Sequence, residues 1–540
     1  MTADSTTSAP AKNERAPKRR VAVIGFDAAD VDLIMEWAAA GVLPAFARLL
    51  KAATWGRVDN GVGNIAGTVW QSFHSGVWPG KHGHYDGTKH FDPETYIDGL
   101  YFRSREDAPR EYIWETVGRA GGRIALLDAP YVFMPEEANG VVLDGWGAHE
   151  RHVAPDGSVG FHAYPPQLRG EVLARYGEDP MGMGEAPCDG LKPRNDKELL
   201  WLRDVLIERI RTKTRMAIDF LGREPWTYFE ANFFAAHCIG HQCWHFHDSQ
   251  HPRYDAKISN RVGDPIRDVY AEMDRGLGQV LEAIEEDTTV IVYCSHGMGP
   301  NYTATGGFLD KILLNLEGID SPERTERLIT LARNLWRSAP GPLRKQLVKL
   351  QARNFEARVQ RRIQPAKARR RYFEQHVNGA TGGIRVNLEG REGAGIVKPS
   401  EYDALLDAIT SDMMEIVNEE TGRPLVSKIY RAREIYEGPY VDRMPDLLVE
   451  WNRDAPIRRV ASPKIGSVSD PVPSVRSGDH RPEGLFAALG PGLRAGELEK
   501  AVSVVDFVPT ILKLLDVPVV DTDGAPIEAL TAQPIAIATS

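Results

Sequence analysis

Residues 21–27 read VAVIGFD, an unbroken apolar run that ends in an aspartate. Such a run, without polar alternation, is typical of a β-strand buried on both faces of a parallel sheet. Residues 288–294, TTVIVYC, show the same pattern and are followed at once by Ser295 and His296. Because open α/β sheets bind ligands at the carboxyl ends of their strands, we expect Asp27 and His296 at one sheet edge. The alternative for Asp27 is a helix N-cap.

Strand patterns alternate with helix patterns along most of the chain. Helices are expected at residues 31–40, 112–121, 196–221 and 264–285, further strands at residues 123–130 and 226–234, and a strand with its following loop at residues 139–150. This alternation predicts an α/β fold built on one large, doubly wound, mostly parallel sheet that is flanked by helices.

The composition is that of a globular protein of 540 residues, 42% hydrophobic and 26% charged, with a net charge of −10. The acidic balance argues against a dedicated nucleic-acid-binding protein. No apolar run approaches the roughly 18 residues of a membrane span, so no transmembrane helix is expected. Four cysteines without paired spacing indicate reduced thiols, and the polar residues 1–20 do not resemble a signal peptide. Both features favour a cytoplasmic location.

The segment at residues 318–378 differs in composition from the rest of the chain. Its part at 341–371 holds eleven lysines and arginines and one glutamate. A basic amphipathic helix of this kind is either a solvated insertion that caps the active site or a contact for an anionic membrane surface or an acidic partner. The predicted organisation is a disordered tail at 1–20, a core in two parts at 21–317 and 379–530, the basic helical cap between them, and a tail at 531–540. The sequence does not indicate an oligomeric state.

Residues 233–248 read FFAAHCIGHQCWHFHD and contain four of the chain's fifteen histidines. On a helix, His237, His241 and His245 would project from one side, because they follow one another at intervals of four residues. Neutral imidazole is the commonest transition-metal ligand, and two histidines one helical turn apart can bind one ion. The spacing therefore indicates a metal site. The alternative is an amphipathic helix whose polar histidines are satisfied structurally.

Residues 61–86, GVGNIAGTVWQSFHSGVWPGKHGHYD, are rich in glycine and hydroxyl side chains. A hydroxyl at a helix start can act as a nucleophile, because free backbone N–H groups attract an anion and a metal lowers the hydroxyl pKa. Thr68 and Ser72 are the candidates. The alternative for either residue is simple helix capping.

Eight segments together resemble the type I phosphodiesterase/nucleotide pyrophosphatase family of the alkaline phosphatase superfamily. They follow the family's order and are IGFDAAD (24–30), SGVWPGKHG (75–83), HCIGH (237–241), CSHGMGPN (294–301), GGIRVNLEGREGAGIV (382–397), DRMPDLLVEW (442–451), SGDHRPEGLF (477–486) and VVDFVPTILKLL (504–515). The resemblance implies an alkaline phosphatase-like fold and hydrolysis of phosphodiester or pyrophosphate bonds in a small phosphoester substrate. A phosphomonoesterase, a phosphonate hydrolase, a mutase of the phosphoglycerate type and a non-catalytic binding protein on the same core stay open.

The resemblance also implies two divalent metal ions, usually zinc, with manganese or another divalent metal as alternatives. One ion is implied at Asp27, the nucleophile hydroxyl and His296. The second is implied at His237, His241 and His480. In such a site the nucleophile attacks phosphorus, and water then hydrolyses the covalent phosphoryl intermediate.

Three positions depart from the family's pattern. Ser295 and His237 stand where the family has acids, and the usual nucleophile position falls on Ala66. Thr68, two residues later in a glycine-rich loop, is therefore the predicted nucleophile and metal ligand, with Ser72 in reserve. Possible replacement acids are Asp479, Glu230 and Asp248, and possible further contacts to the phosphoryl group are Asn232, His82 and Lys81.

Overall fold

The computed structural model describes residues 19–85, 89–101, 110–130, 134–135, 137–148, 160–182, 195–303, 307–319, 366–377, 380–470 and 474–532. Its strands are β1 (Arg20–Phe26), β2 (Thr54–Asp59), β3 (Lys89–Asp92), β4 (Ile97–Tyr101), β5 (Ile124–Leu127), β6 (Gly140–Asp144), β7 (His162–Tyr164), β8 (Tyr228–Phe233), β9 (Thr288–Cys294), β10 (Gly297–Pro300), β11 (Tyr372–Glu374), β12 (Thr381–Val386), β13 (Val417–Asn418), β14 (Val426–Arg431), β15 (Leu447–Trp451), β16 (Arg459–Ser462), β17 (Gly466–Ser469), β18 (Gly478–Arg481), β19 (Gly484–Leu489), β20 (Gly496–Glu497) and β21 (Val502–Ser503). Its α-helices are α1 (Val31–Ala39), α2 (Pro44–Ala52), α3 (Gly67–Ser75), α4 (Pro79–His82), α5 (Ile113–Arg119), α6 (Gln167–Tyr176), α7 (Asp196–Leu221), α8 (Ala235–His247), α9 (Ala256–Val262), α10 (Pro265–Ala283), α11 (Phe308–Leu316), α12 (Tyr402–Met414), α13 (Ala432–Ile435), α14 (Phe507–Leu514) and α15 (Glu528–Thr531).

One large sheet forms the centre of the described structure. Its strand order is β20-β2-β19-β9-β1-β8-β5-β6-β7, and β21 also pairs with β2. The five strands from β9 to β6 are parallel neighbours, whereas β19 and β7 pair antiparallel with the strands beside them. Helices cover both faces. The prediction of an α/β fold with a mostly parallel sheet flanked by helices is confirmed.

The central strand β1 is buried on both faces. Ala22, Ile24 and Phe26 pack into the apolar core that the sheet shares with α1, α2, α7, α8 and α10. Val21 and Val23 pack into the opposite core, together with α3, α5 and α14. Burial on both faces is the physical reason why residues 21–26 contain no polar side chain.

A smaller antiparallel sheet, β11-β12-β15-β14, packs with α11 and α12 around an apolar core of its own. Arg385, a residue of β12, is fully buried, and its guanidinium donates to Glu392 Oε1 (2.7 Å) and to the carbonyl oxygen of Met444 (2.8 Å). Arg391 binds both carboxylate oxygens of Asp446, at 2.6 and 2.7 Å. The charged motif at residues 382–397 therefore has a structural role here, because its buried charges are paired.

Several predicted segments fall mainly outside the described residues. They are the tails at 1–20 and 531–540 and most of the basic cap at 318–378, including residues 320–365, so the predictions made for them stay predictions. Among the described helices, none alone combines the length and apolar composition needed to cross a membrane. The pair α1 and α2 reaches those limits only together and is bent by 98°.

Candidate metal centre at the carboxyl edge of the sheet

The carboxyl ends of three adjacent parallel strands bring the predicted ligands together. Asp27 directly follows β1, α8 begins two residues after the end of β8, and His296 comes two residues after the end of β9. The backbone N–H of Asp27 donates to the carbonyl oxygen of Phe233 (2.9 Å), which holds the aspartate beside the start of α8. Because β1 lies between β8 and β9, residues from distant parts of the chain meet at this edge.

His237, His241 and His480 form a compact, buried trio. One ring nitrogen of each lies within 4.8 Å of the other two, and within the described ranges this is the one group of three or more such ligands. The Nε2 atoms of His237 and His480 are 3.2 Å apart. Two nitrogens bound to one tetrahedral zinc ion at about 2.0–2.1 Å lie about 3.3 Å apart. The spacing of the trio therefore fits a shared ion.

Hydrogen bonds on the outer side of the trio orient two of its rings. His237 Nδ1 donates to Asp27 Oδ2 (2.5 Å), and His241 Nδ1 donates to the carbonyl oxygen of Gly478 (2.8 Å). An imidazole that donates through Nδ1 carries its lone pair on Nε2, the nitrogen that then binds a metal. Burial, together with the neighbouring imidazoles, lowers the pKa of His480 well below its usual value. His480 is therefore held in the neutral form that zinc and related metals require of a ligand.

The carboxylate of Asp27 is surrounded by donors of the chain itself. Its Oδ1 accepts from Trp70 Nε1 (2.7 Å) and from Ser295 Oγ (3.1 Å), while Oδ2 accepts from His237. His296 Nδ1 lies 2.9 Å from Ser295 Oγ and 3.9 Å from Asp27 Oδ1. The His296 ring is also 4.7 Å from the ring of His480, measured between centroids. The structure thus places Asp27 and His296 beside the trio, with the carboxylate already engaged in hydrogen bonds.

The two predicted nucleophiles lie on α3. Thr68 is buried and donates through Oγ1 to the carbonyl oxygen of Ile65 (2.7 Å). Ser72 Oγ lies 3.0 Å from Nε2 of His82, whose Nδ1 accepts the backbone N–H of His84 (3.1 Å). A neutral ring that accepts at Nδ1 carries its proton on Nε2, so His82 donates to Ser72 and cannot serve as its base. Burial lowers the pKa of His82 well below its usual value, which keeps the ring neutral.

The residue before α3 has a strained backbone. Ala66 has φ +57° and ψ −133°, values that favour glycine. A non-glycine residue in such a conformation costs roughly 1–3 kcal/mol, and strain of this size is found preferentially at functional sites. It falls here on the position at which the resemblance places the family's nucleophile, although alanine has no group that could react.

Of the possible replacement acids, Glu230 lies in the sheet and is bound by other residues. It is fully buried and accepts from His74 Nε2 (2.9 Å), Tyr228 Oη (2.6 Å) and Asn232 Nδ2 (2.7 Å). Burial alone would raise its pKa, but the charge and hydrogen bond of His74 and the other two donors lower it. Glu230 is therefore a paired structural carboxylate, and Asn232 is its partner.

The other two acids differ in their distance from the trio. Asp248 follows α8 and accepts the backbone N–H of Gln250 (2.8 Å). Asp479 is adjacent to His480 in β18, and its Oδ1 lies 3.9 Å from that ring's Nδ1 and 2.9 Å from its backbone nitrogen. Of these acids, only Asp479 is in contact with a member of the trio.

Two further candidates lie outside the cluster. The ammonium group of Lys81 pairs with Asp523. His245 lies on α8 with its ring 6.2 Å from that of His251. His245 lies eight positions after His237, so its side chain is rotated by about 80° around the helix axis relative to that of His237. His245 therefore does not share the helix face of His237 and His241.

Two residues that sequence reasoning missed help to build the site. Trp70 donates to Asp27. A buried indole N–H generally needs an acceptor, so the single tryptophan of α3 was a weak sequence signal for this contact. Gly478 accepts from His241 and has no room for a side chain, since a Cβ there would lie 2.2 Å from the carbonyl oxygen of Gly240. That close approach lets β18 pack on α8 and brings His480 next to His241.

Comparison with known proteins identifies a family from the sequence. The type I phosphodiesterase/nucleotide pyrophosphatase family model matches residues 21–478. No curated protein sequence matches the chain significantly. Among solved structures, the chain is similar to murine ectonucleotide pyrophosphatase/phosphodiesterase 5, with 13% identity, a TM-score of 0.49 and coverage of 94% of this chain and 98% of that one. The human protein of the same name gives 12% identity, a TM-score of 0.47 and coverage of 94% and 97%.

Proposed function

Because the chain belongs to the type I phosphodiesterase/nucleotide pyrophosphatase family and is a hydrolase of that type, we propose that it hydrolyses phosphodiester bonds of a small substrate with the help of a divalent metal held by His237, His241 and His480. Zinc is the metal that three neutral imidazoles suit best, with manganese or another divalent metal as the alternative. A phosphomonoesterase, a phosphonate hydrolase and a non-catalytic binding protein are the functions to be tested against it.

The observation that carries the proposal is the convergence of the trio. Three ring nitrogens within 4.8 Å of one another are buried together, and such a group is costly unless a proton or a cation lies between them. Asp27 and the carbonyl group of Gly478 accept the protons of the two outer Nδ1 atoms, which leaves lone pairs for an ion on the inner side. When bound, the ion would polarise a phosphoryl oxygen and lower the pKa of a water molecule to about 7.

The sequence and the geometry of the site indicate different attacking groups. Thr68 is the predicted nucleophile, but its hydroxyl donates to a carbonyl oxygen, which is not a base that could remove its proton. We therefore propose that water attacks phosphorus directly. Covalent attack by Thr68 is the second candidate, supported by its place in the first turn of α3, where free backbone N–H groups favour a phosphate.

A metal-depletion experiment tests the proposed activity. The purified chain is assayed with bis-p-nitrophenyl phosphate before and after treatment with a chelator, and again after addition of Zn²⁺ or Mn²⁺. We expect activity to disappear and to return with metal. His241→Ala should abolish it, whereas His247→Ala, a histidine of the same helix outside the trio, should preserve it. Full activity of His241→Ala or of the chelated protein would contradict the proposal. A higher rate on p-nitrophenyl phosphate would instead favour a monoesterase.

Thr68→Val separates the two attacking groups, because valine keeps the shape of threonine and lacks the hydroxyl. Direct attack by water predicts a turnover number within about tenfold of the wild type. Removal of a covalent nucleophile costs on the order of 10⁴-fold or more, so a loss of that size would establish Thr68 as the nucleophile. Thr68→Ser, which keeps the hydroxyl, is the matched control.

The cytoplasmic location stays a prediction. Cys238, Cys243 and Cys294, the described cysteines, are buried thiols, in keeping with a reducing compartment.

A further inference from the structure

We infer that the site binds one metal ion, at the histidine trio, in place of the two that the family resemblance implies. Asp27 is then a positioning residue for His237 and not a metal ligand. This inference rests on the proposed function, because it concerns the ligands and the number of ions at the same site. Three contacts of the Asp27 carboxylate carry it.

The first contact is with Trp70. Its indole Nε1–H can only donate, and the side chain is almost completely buried, so it needs an acceptor. Asp27 Oδ1, at 2.7 Å, supplies that acceptor. A cation bound to Oδ1 would face the positive end of the indole N–H dipole. If Trp70 instead turned away, a buried donor would be left unsatisfied, at a cost of about 1–3 kcal/mol.

The second contact is with Ser295, at the position where the resemblance expects an acidic ligand. Ser295 Oγ is 3.1 Å from Asp27 Oδ1 and 2.9 Å from His296 Nδ1. A carboxylate only accepts, so the single hydroxyl proton goes to Asp27, and His296 must donate its Nδ1 proton to Ser295. The chain of donors from His296 to Ser295 to Asp27 therefore places a second hydrogen at Oδ1, the oxygen that already accepts from Trp70.

The third contact uses the other oxygen of the carboxylate. Asp27 Oδ2 accepts from His237 Nδ1 at 2.5 Å, a short, charge-assisted hydrogen bond. Histidine ligands commonly donate their outer nitrogen to a carboxylate, which fixes the ring orientation and increases the basicity of the inner nitrogen. Both oxygens of Asp27 are therefore engaged by the chain, and the contact to His237 serves the trio.

The other two ligands that the resemblance implies for a second ion do not offset the loss of Asp27 as a ligand. The resemblance implies Asp27, Thr68 and His296, but the Thr68 hydroxyl donates to Ile65 and the carboxylate is engaged by three donors. His296 would be left as one neutral imidazole for a dication in a buried position, where an uncompensated charge is strongly unfavourable. The trio, in contrast, needs no rearrangement of its outer hydrogen bonds to accept an ion.

Metal stoichiometry of the unmodified full-length chain tests the inference directly. The protein is loaded with excess Zn²⁺, desalted, and its metal content is measured by mass spectrometry, with a Co²⁺ titration followed by visible absorption as a second measurement. One ion per chain is the expected result. Two ions would overturn the inference and leave the proposed function intact, whereas no ion in either measurement would overturn both. Because it uses the wild-type chain, this result does not depend on how any variant folds.

Asp27→Asn tests whether the carboxylate is a ligand. Loss of a carboxylate partner behind a histidine ligand lowers metal affinity by about 10–100-fold. We therefore expect Asp27→Asn to bind one ion with affinity reduced by that factor and with the visible spectrum of four-coordinate Co²⁺ retained. An Asp27→Asn protein that folds but binds no ion at saturating Co²⁺ would make Asp27 a ligand and overturn the inference.

The chain offers a matched control for this variant. Asp264 Oδ2 accepts from His247 Nδ1 at 2.8 Å, and His247 lies on α8 with His237 and His241 but is not part of the trio. Asp264→Asn therefore removes an equivalent carboxylate–histidine contact at a distance from the site. Asp264→Asn should bind one ion with unchanged affinity. An equal loss of metal affinity in Asp27→Asn and Asp264→Asn would show that the effect comes from α8 as a whole, and would overturn the role of Asp27.

Discussion

Replacing His74 with phenylalanine removes one of three donors to a carboxylate inside the central sheet. Glu230 is fully buried on β8, and His74 Nε2 reaches it from α3 at 2.9 Å. Tyr228 and Asn232 remain as donors at 2.6 and 2.7 Å. Phenylalanine keeps the ring that packs against Trp114, where the centroids are 4.7 Å apart, so the substitution isolates the polar contact.

The expected magnitude follows from burial and from the two donors that remain. A hydrogen bond to a charged group contributes about 1.5–3 kcal/mol, and we expect a value near the upper limit, about 3 kcal/mol, because Glu230 is fully buried. An unfolding entropy of roughly 2.1 cal/mol/K per residue amounts to about 1.1 kcal/mol/K for 540 residues, so Tm should fall by about 3 °C.

The effect should depend on pH with a definite sign. The pKa of Glu230 in the folded chain is lowered below its usual value, because the donors outweigh the effect of burial. A lowered carboxyl pKa stabilises the fold above the usual pKa, and this contribution is lost as the pH falls through the folded value. The difference between wild type and His74→Phe should therefore be complete at pH 7 and shrink in strong acid.

Calorimetric and urea-induced unfolding of four proteins measure the effect. They are the wild type, His74→Phe, Glu230→Gln and the double variant, whose coupling energy we expect to be about 1–3 kcal/mol. His247→Phe is the control, since its pair with Asp264 is partly exposed and should contribute about 1 kcal/mol or less. A Tm of His74→Phe within 1 °C of the wild type at pH 7, or additive single effects, would refute the reasoning.

Three further predictions concern other parts of the described chain. Burial lowers the pKa of His247, but the hydrogen bond and charge of Asp264 outweigh burial and raise it. The His247–Asp264 pair therefore stabilises the fold in acid, and this contribution is lost as the pH rises through the pKa of His247 in the folded chain. Asp264→Asn should therefore cost about 1 kcal/mol at pH 5 and little at pH 9 in urea unfolding, and an equal cost at both would contradict this. Gly478→Ala would place a Cβ 2.2 Å from Gly240 O, so Co²⁺ affinity should fall by about tenfold or more, and an unchanged affinity would show that β18 adapts. Burial raises the pKa of Cys294, so iodoacetamide should label it only after denaturation, as read by peptide mass spectrometry, and labelling of the folded chain would be the contrary result.

The fold and the family were accessible from local patterns. The apolar run at 21–27 predicted a strand buried on both faces. Alternate side chains of a strand point to opposite faces of the sheet, and where both faces are covered by a core all of these side chains have to be apolar. The helix predicted at 196–221 and the strand predicted at 226–234 correspond to α7 and β8. The order of eight short motifs predicted the family, which the family match over residues 21–478 confirms.

The helical spacing of the histidine segment also indicated part of the tertiary arrangement. His237 and His241 meet on one face of α8, and His480 joins them from a distant strand. The sequence alone did not exclude His245 from this group, because a spacing of four residues is only approximately one helical turn. The angular offset between side chains four residues apart is small, but after two such steps it points His245 away from His237 and His241.

What the sequence by itself determined is which side chains are available at the carboxyl edge of a parallel sheet, since strand periodicity and chain order are local properties. Only the tertiary structure decided what each of them does there. Asp27 accepts from Trp70, Ser295 and His237, which lie 43, 268 and 210 positions away along the chain. Whether a carboxylate binds a cation or accepts hydrogen bonds depends on the donors that packing places around it, and no local pattern records that arrangement.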